Sequence, residues 1–391
     1  MIHPYPELAE LFDFLPDRRH SESIKWLQYP EDVLPLWVAD MDFISPEPVI
    51  RAIQERAAHG VFGYPTDMPV LIEAIQAWLA ERHGWQVRQE DIVLLPGVVT
   101  GINLVAHAIG QPGDGVLIQT PIYPPFLTAP ENAGRVRHDA PMVQGPDGRF
   151  EVDFDAFEQA MTDDTRLFIL CNPHNPVGRV YTRMELERMA EICLRRGVTI
   201  CSDEIHCDLV YSGNRHTPIA SLDEEIARHT VTLMSPSKTF NIAGLVASYA
   251  VIPNPELRRQ VMGATQGLVG HVNLLGQVAA HAAYTQGKPW LEALLAYLEA
   301  NRDFLVKFVT EELPGVRVTV PEGTYLAWLD FRGVQLPDPP GKYFLRQARV
   351  ALSEGTYYGK EGAGFARLNF GCPRSVLEEA LERMRRVFSQ R

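Results

Sequence analysis

Short runs of almost unbroken apolar residues constrain this chain more than any other feature: Val116-Leu117-Ile118, Leu167-Phe168-Ile169-Leu170, Val198-Thr199-Ile200-Cys201, Val231-Thr232-Leu233-Met234 and Tyr249-Ala250-Val251-Ile252. Strands that are apolar on every residue need cover on both faces, and helical stretches such as Arg183 to Arg196 fall between them. The pattern predicts an α/β fold with a mostly parallel sheet covered by helices on both faces. Ligands on such sheets bind beyond the carboxyl ends of the strands. Four of these runs end in chemically unusual stretches: Thr120-Pro121-Ile122-Tyr123-Pro124, Cys171-Asn172-Pro173-His174-Asn175-Pro176-Val177-Gly178, Ser202-Asp203-Glu204-Ile205-His206 and Ser235-Pro236-Ser237-Lys238-Thr239-Phe240-Asn241.

Around that centre the chain divides. With 391 residues it exceeds one ordinary core. Residues 1–45 are irregular and proline-rich, with Trp26, Tyr29 and Trp37 spaced along them, which suits an arm packed on a partner or a neighbouring domain and belonging in part to a smaller domain. Residues 46–285 form the large domain, opening on a helix for which Ser45 is the expected N-cap and Pro46 the first helical residue. A second helix runs through Leu71 and Trp78 to Gly84, after the turn Phe62-Gly63-Tyr64-Pro65. From 286 to 391 a long helix, Pro289 to Glu312, precedes strands at Val316–Val320, Tyr325–Leu329 and Ala366–Phe370 and a closing helix from about Ser375 to Phe388, a smaller α+β domain.

The strand ends carry chemistry. A lysine directly after a buried strand, among small hydroxyl residues, faces a cleft, and desolvation there makes Lys238 a usable nucleophile and base for Schiff-base formation. Asp203 closes an apolar strand and needs a cation; a protonated pyridine nitrogen is one, and a ring held protonated is an electron sink. Asn175 and His206 can donate to a phenolate oxygen, and Tyr123 can stack on a planar ring. After the run Ile92-Val93-Leu94-Leu95, Pro96-Gly97-Val98-Val99 opens a helix, an arrangement whose free N–H groups suit a phosphate.

The motifs Asn175-Pro176-x-Gly178, Asp203-x-x-His206 and Ser235-x-Ser237-Lys238 resemble those of the fold-type I pyridoxal-phosphate enzymes of the class I/II aminotransferase superfamily. Trp37-Val38-Ala39-Asp40-Met41-Asp42-Phe43, Phe62-Gly63-Tyr64, Pro96-Gly97-Val98-Val99 and Ser237-Lys238-Thr239-Phe240-Asn241 are similar to its MalY/PatB-type branch, the cystathionine beta-lyase-like C–S lyases. The resemblance implies pyridoxal 5'-phosphate held covalently by Lys238, which also shuttles the substrate's Cα proton. It places Asp203 on the pyridine nitrogen, Asn175 and His206 on the phenolate oxygen and Tyr123 on the ring face. Gly97, Val98, Val99 and Ser235 would hold the phosphate, with Tyr64 reaching it from the second subunit of a homodimer, and Arg367 would grip the substrate carboxylate. The superfamily's arginine eight residues after the lysine is replaced here by Val246, which favours the lyase branch. The implied reaction is β-elimination from an L-cysteine S-conjugate such as cystathionine, giving a thiol, pyruvate and ammonia; an aminotransferase would use the same residues.

Other classes fit poorly. The net charge of −13 and the want of a Lys/Arg block argue against nucleic acid. With neither a long apolar span nor the regions of a leader in Met1 to Glu7, a cytoplasmic protein off the membrane is expected. Five cysteines suggest reduced thiols. A metal site from Cys201, Asp203, His206 and Cys207 fits no common zinc spacing, and no metal is expected. A sensory module of a regulator lacks a helix-turn-helix segment.

Overall fold

The computed structural model describes residues 7–8 and 10–388, so Met1 to Pro6, read above for a leader, lie outside the described residues. The main sheet has seven strands: β1 (Ile92–Leu95), β2 (Gly115–Thr120), β3 (Val136–Pro141), β4 (Thr165–Cys171), β5 (Thr199–Asp203), β6 (Thr230–Met234) and β7 (Ser248–Val251), in the order β1-β7-β6-β5-β4-β2-β3. Strands β2, β4, β5 and β6 are buried almost throughout, which is why they read as apolar runs. Strand β7 alone runs against its neighbours. Its link from β6 holds two short helical turns, Pro236–Thr239 and Ala243–Leu245, and no crossover helix that could return the chain in parallel. Strand β3, with Arg137, His138 and Asp139, is a polar edge that the apolar pattern does not reveal.

A second, antiparallel sheet holds β8 (Arg317–Thr319), β9 (Leu326–Asp330), β10 (Ser353–Glu354) and β11 (Phe365–Asn369) in the order β8-β9-β11-β10. The long helix Lys288–Glu312 and the closing helix Arg374–Phe388 pack with it in one apolar cluster.

The arm packs on its own chain. Leu34–Pro35 pairs in parallel with Val350–Ala351, and Trp26 is buried with its indole N–H on the Asp42 carboxylate, 2.8 Å. Asp42 is fully buried between Lys25, at 2.6 Å, and Arg18, at 2.9 Å. A buried carboxylate survives only with such partners, and here they fix the segment Trp37–Phe43 where it crosses from the small sheet to the large one.

The helix after Ser45 spans Glu47–Ala58 with Pro46 at its N-cap. Ser45 therefore does not cap it; its hydroxyl donates to the Asn241 carbonyl at 2.9 Å, tying this corner to the loop after Lys238. The next helix, Pro69–His83, ends on Gly84 at φ 67°, a left-handed cap that glycine adopts without strain. Among the described residues, no helix is long and apolar enough to cross a membrane, and all five cysteines are buried free thiols.

Candidate active site

Strand register brings the site together. Cys171, Asp203 and Leu233 lie side by side at the carboxyl ends of β4, β5 and β6. Leu95, the last residue of β1, faces Ser248 at the start of β7 on the same edge of the sheet. The loops that follow converge there on a cavity of about 300 Å³ lined by Gly97, Val98, Val99, Tyr123, Asn175, Asp203, His206 and Lys238. Ala39, Pro96, Thr100, Cys171, Ile205, Ser237 and Val246 complete its wall.

Three expected residues stand elsewhere. Ser235 caps the turn Pro236–Thr239, accepting from the Ser237 N–H at 3.0 Å and donating to the Ala247 carbonyl at 2.7 Å. Its hydroxyl is committed to the backbone, and Ser237 lines the cavity instead. Tyr64 is fully exposed and is not on the wall formed by its own chain. Arg367, on β11, is buried and lines a neighbouring, larger cavity of about 620 Å³. Its Nη1 donates to Asn175 Oδ1 at 2.9 Å and its Nη2 to the Trp37 carbonyl at 2.8 Å, while its Nε is buried with no partner. Tyr123 is common to both cavities.

At the lysine, Nζ donates to the Ala39 carbonyl at 2.7 Å. Loss of water lowers the pKa of this amine to about 8, with Arg367 pushing the same way and Asp40 and Asp203 opposing. Asp203 moves oppositely: burial raises its carboxyl to about 7, although its Oδ1 accepts from the Ile205 N–H at 3.0 Å. Burial, then the nearby charges of Lys238 and Arg367, lower His206 to about 3, so its ring is neutral. Its Nδ1 is buried without a partner. Perturbations of this size in one cleft mark a functional site.

The residues present fit a phosphorylated pyridine. Asp203 is a buried carboxylate lacking an ionic bond to Lys238, whose ammonium sits on Ala39, and a cationic ring nitrogen would supply the missing charge. His206 offers an unused ring nitrogen. The helix Val98–Ala108 begins at the cavity, and Gly97 holds φ 110°, a conformation open to glycine, as the chain turns into it. Ile205, two residues beyond Asp203, adds an apolar wall. Val246 lines the cavity at φ 48°, an uncommon left-handed conformation for a β-branched residue, and brings no charge there.

Comparisons with known proteins agree with this geometry. The family model described as aminotransferase class I and II matches residues 31–384. Cystathionine beta-lyase PatB of Bacillus subtilis is 42% identical over 387 residues, covering 97% of this chain and all of PatB. Among solved structures, OvoB is 46% identical with a TM-score of 0.93, covering 97% of this chain and 99% of that one. A pyridoxal-phosphate-bound C–S lyase from Staphylococcus hominis is 34% identical with a TM-score of 0.91, again covering 97% and 99%.

Proposed function

The chain belongs to the aminotransferase class I and II family, in its MalY/PatB-type branch, with fold type I and pyridoxal 5'-phosphate as its cofactor; from that premise we propose that it is a C–S β-lyase cleaving L-cysteine S-conjugates to a thiol, pyruvate and ammonia. One observation carries the reading: the amine of Lys238, the carboxylate of Asp203 and the guanidinium of Arg367 border adjoining cavities in a chain so similar to a named cystathionine beta-lyase.

Lys238, Asp203, Asn175, His206 and Tyr123 would hold the cofactor, with the start of the helix at Val98 facing its phosphate. When bound, the cofactor would supply an electron sink that draws density away from the substrate's Cα. Lys238 Nζ removes the Cα proton, a step for which a pKa of about 8 leaves a useful fraction of free amine near neutrality. Asp203 keeps the ring nitrogen protonated, and Arg367 receives the substrate carboxylate, its unpartnered Nε being the donor available for it. The C–S bond breaks with its electron pair on sulfur. The three-carbon fragment left behind takes up water and yields pyruvate and ammonia, with no net oxidation.

The deciding experiment gives purified holoenzyme an S-conjugate without any keto-acid acceptor. Many equivalents of pyruvate per chain are expected. A single stoichiometric conversion of the cofactor to its amine form, without pyruvate, would instead make the chain an aminotransferase.

Arg367→Lys keeps the charge but loses the planar fork. It should raise KM for every substrate, and lower kcat about tenfold or more as the Cα–H bond loses its orientation, with leaving-group preference nearly unchanged. Steady-state kinetics on cystathionine and two S-alkyl cysteines check this; a loss confined to one substrate would assign Arg367 to the side chain.

A homodimer is part of the same proposal. Val61, Phe62 and Tyr64 project into solvent, apolar and unused by their own chain's cavity, in keeping with a partner whose phosphate site Tyr64 would complete. A cytoplasmic setting is proposed with it.

A further inference from the structure

The larger cavity, about 620 Å³, adjoins the cofactor cavity through Tyr123, and Arg367 joins the two by its bond to Asn175. With the substrate carboxylate on Arg367, which lines this cavity and bonds Asn175 of the other, the group on sulfur would have this space beside it. Five of its sixteen lining residues are aromatic: Tyr29 and Trp37 from the arm, 6.1 Å apart and edge to face, Tyr123, and Tyr357 with Tyr358. Tyr358 is in turn covered by the Arg367 guanidinium at 5.1 Å. Leu345 and Leu352 fill gaps between them.

The cavity's other charged groups are already engaged. Glu354 accepts the Gly341 N–H at 2.9 Å and the Gly355 N–H at 3.1 Å, at the start of the helix Pro340–Gln347. Burial raises its pKa, opposed by these N–H bonds. Lys342 is ion-paired with Asp338 at 2.6 Å. A substituent ending in an amino-acid head would compete with these partners for Glu354 and the half-exposed Lys342, whereas a flat uncharged ring meets aromatic faces and edges directly.

Resting on the lyase reading above, we propose that this vestibule receives the S-substituent and selects a flat aromatic group, so that S-benzyl- and S-aryl-type cysteine conjugates, rather than cystathionine, are the preferred substrates. Holoenzyme should show kcat/KM about tenfold or more higher for S-benzyl-L-cysteine than for S-methyl-L-cysteine or L-cystathionine, measured as pyruvate release. Calorimetric binding of the same three compounds to pyridoxal-phosphate-loaded Lys238→Ala protein, in which turnover should be slowed about 10⁴-fold or more, should rank them alike. Tyr357 is mostly exposed at the rim, so Tyr357→Ala should fold and should shrink the S-benzyl to S-methyl ratio severalfold; Leu345→Asp should shrink it further. Pyruvate from all three at similar kcat/KM, or a preference for cystathionine, would overturn the selectivity and leave the lyase intact. Absence of pyruvate from every conjugate with the binding order retained would overturn the lyase and support the vestibule, and absence of both would overturn both.

Discussion

Lys238→Ala is expected to lower β-elimination by about 10⁴-fold or more. In the proposed reaction the amine does two jobs, covalent retention of the cofactor and removal of the Cα proton; Asp203, the other group on the cavity wall titrating near neutrality, would be taken up by the ring nitrogen. His206 is neutral but is held to a pKa of about 3, too weak a base, and Tyr123 is pushed upward by burial, so its phenol keeps its proton. Arg367 is a permanent cation. The variant should also lose cofactor on dialysis faster than wild type, since only non-covalent contacts remain. Pyruvate release and the visible spectrum before and after dialysis check both points; turnover within tenfold of wild type would remove Lys238 from the chemistry.

Asp203→Asn should reduce kcat by about 10²–10³-fold and, in the cofactor-free protein, raise stability at alkaline pH. The sign follows from the direction of the shift. The folded carboxyl has a pKa of about 7 against an ordinary 3.8, so the native form binds its proton more tightly than the unfolded chain. The contribution is therefore full near and below pH 4, declines as the pH rises from 4 to 7, and levels off above. At about 1.4 kcal/mol per pH unit, the loss is on the order of a few kcal/mol. Asparagine has nothing to titrate, so the stability gap between variant and wild type should open in favour of the variant between pH 5 and pH 8. Urea unfolding of the cofactor-free proteins at both pH values measures it. An equal deficit for Asp203→Asn at both would make Asp203 a structural carboxylate.

What the sequence made legible was whatever follows from burial on two faces. Strands β4, β5 and β6 are apolar because helices cover both sides, so their ends, and with them Asn175, Asp203 and Lys238, were placed by pattern alone. Strand β3 escaped because an edge strand needs no apolar run, and Arg137-His138-Asp139 reads as loop. Between Ser235 and Ser237 the difference is one of dihedral angles: the extended Ser235 turns its hydroxyl back to cap the following turn, and composition does not encode that choice. Ser45 looked like a cap because the residue type is right, but the helix starts one residue later with Pro46 at its N-cap, and the Ser45 hydroxyl donates to the distant Asn241 carbonyl. The vestibule was illegible for a similar reason, since its walls come from residues 29–38, 123–125 and 339–367, which only the tertiary fold assembles.

The segment Trp37–Phe43 works through its peptide oxygens. Trp37 offers its carbonyl to Arg367 and Ser353, Val38 to Asn369, Ala39 to Lys238 and Tyr325, and Met41 to Arg18 and Asn241. Side-chain scanning is blind to this kind of function: an alanine at Val38 or Met41 keeps every acceptor, so a mutational map would score those positions by packing alone. Arg367 and Lys238, the two groups proposed to hold the substrate's carboxylate and take its Cα proton, are thus spaced by two peptide units of one stretch of chain, a ruler whose graduations are main-chain atoms. Substitutions that rotate a peptide plane there, or deletions that shorten it by one residue, would misalign both grips at once, and homologous exchange of the arm would succeed only between chains that keep the same count.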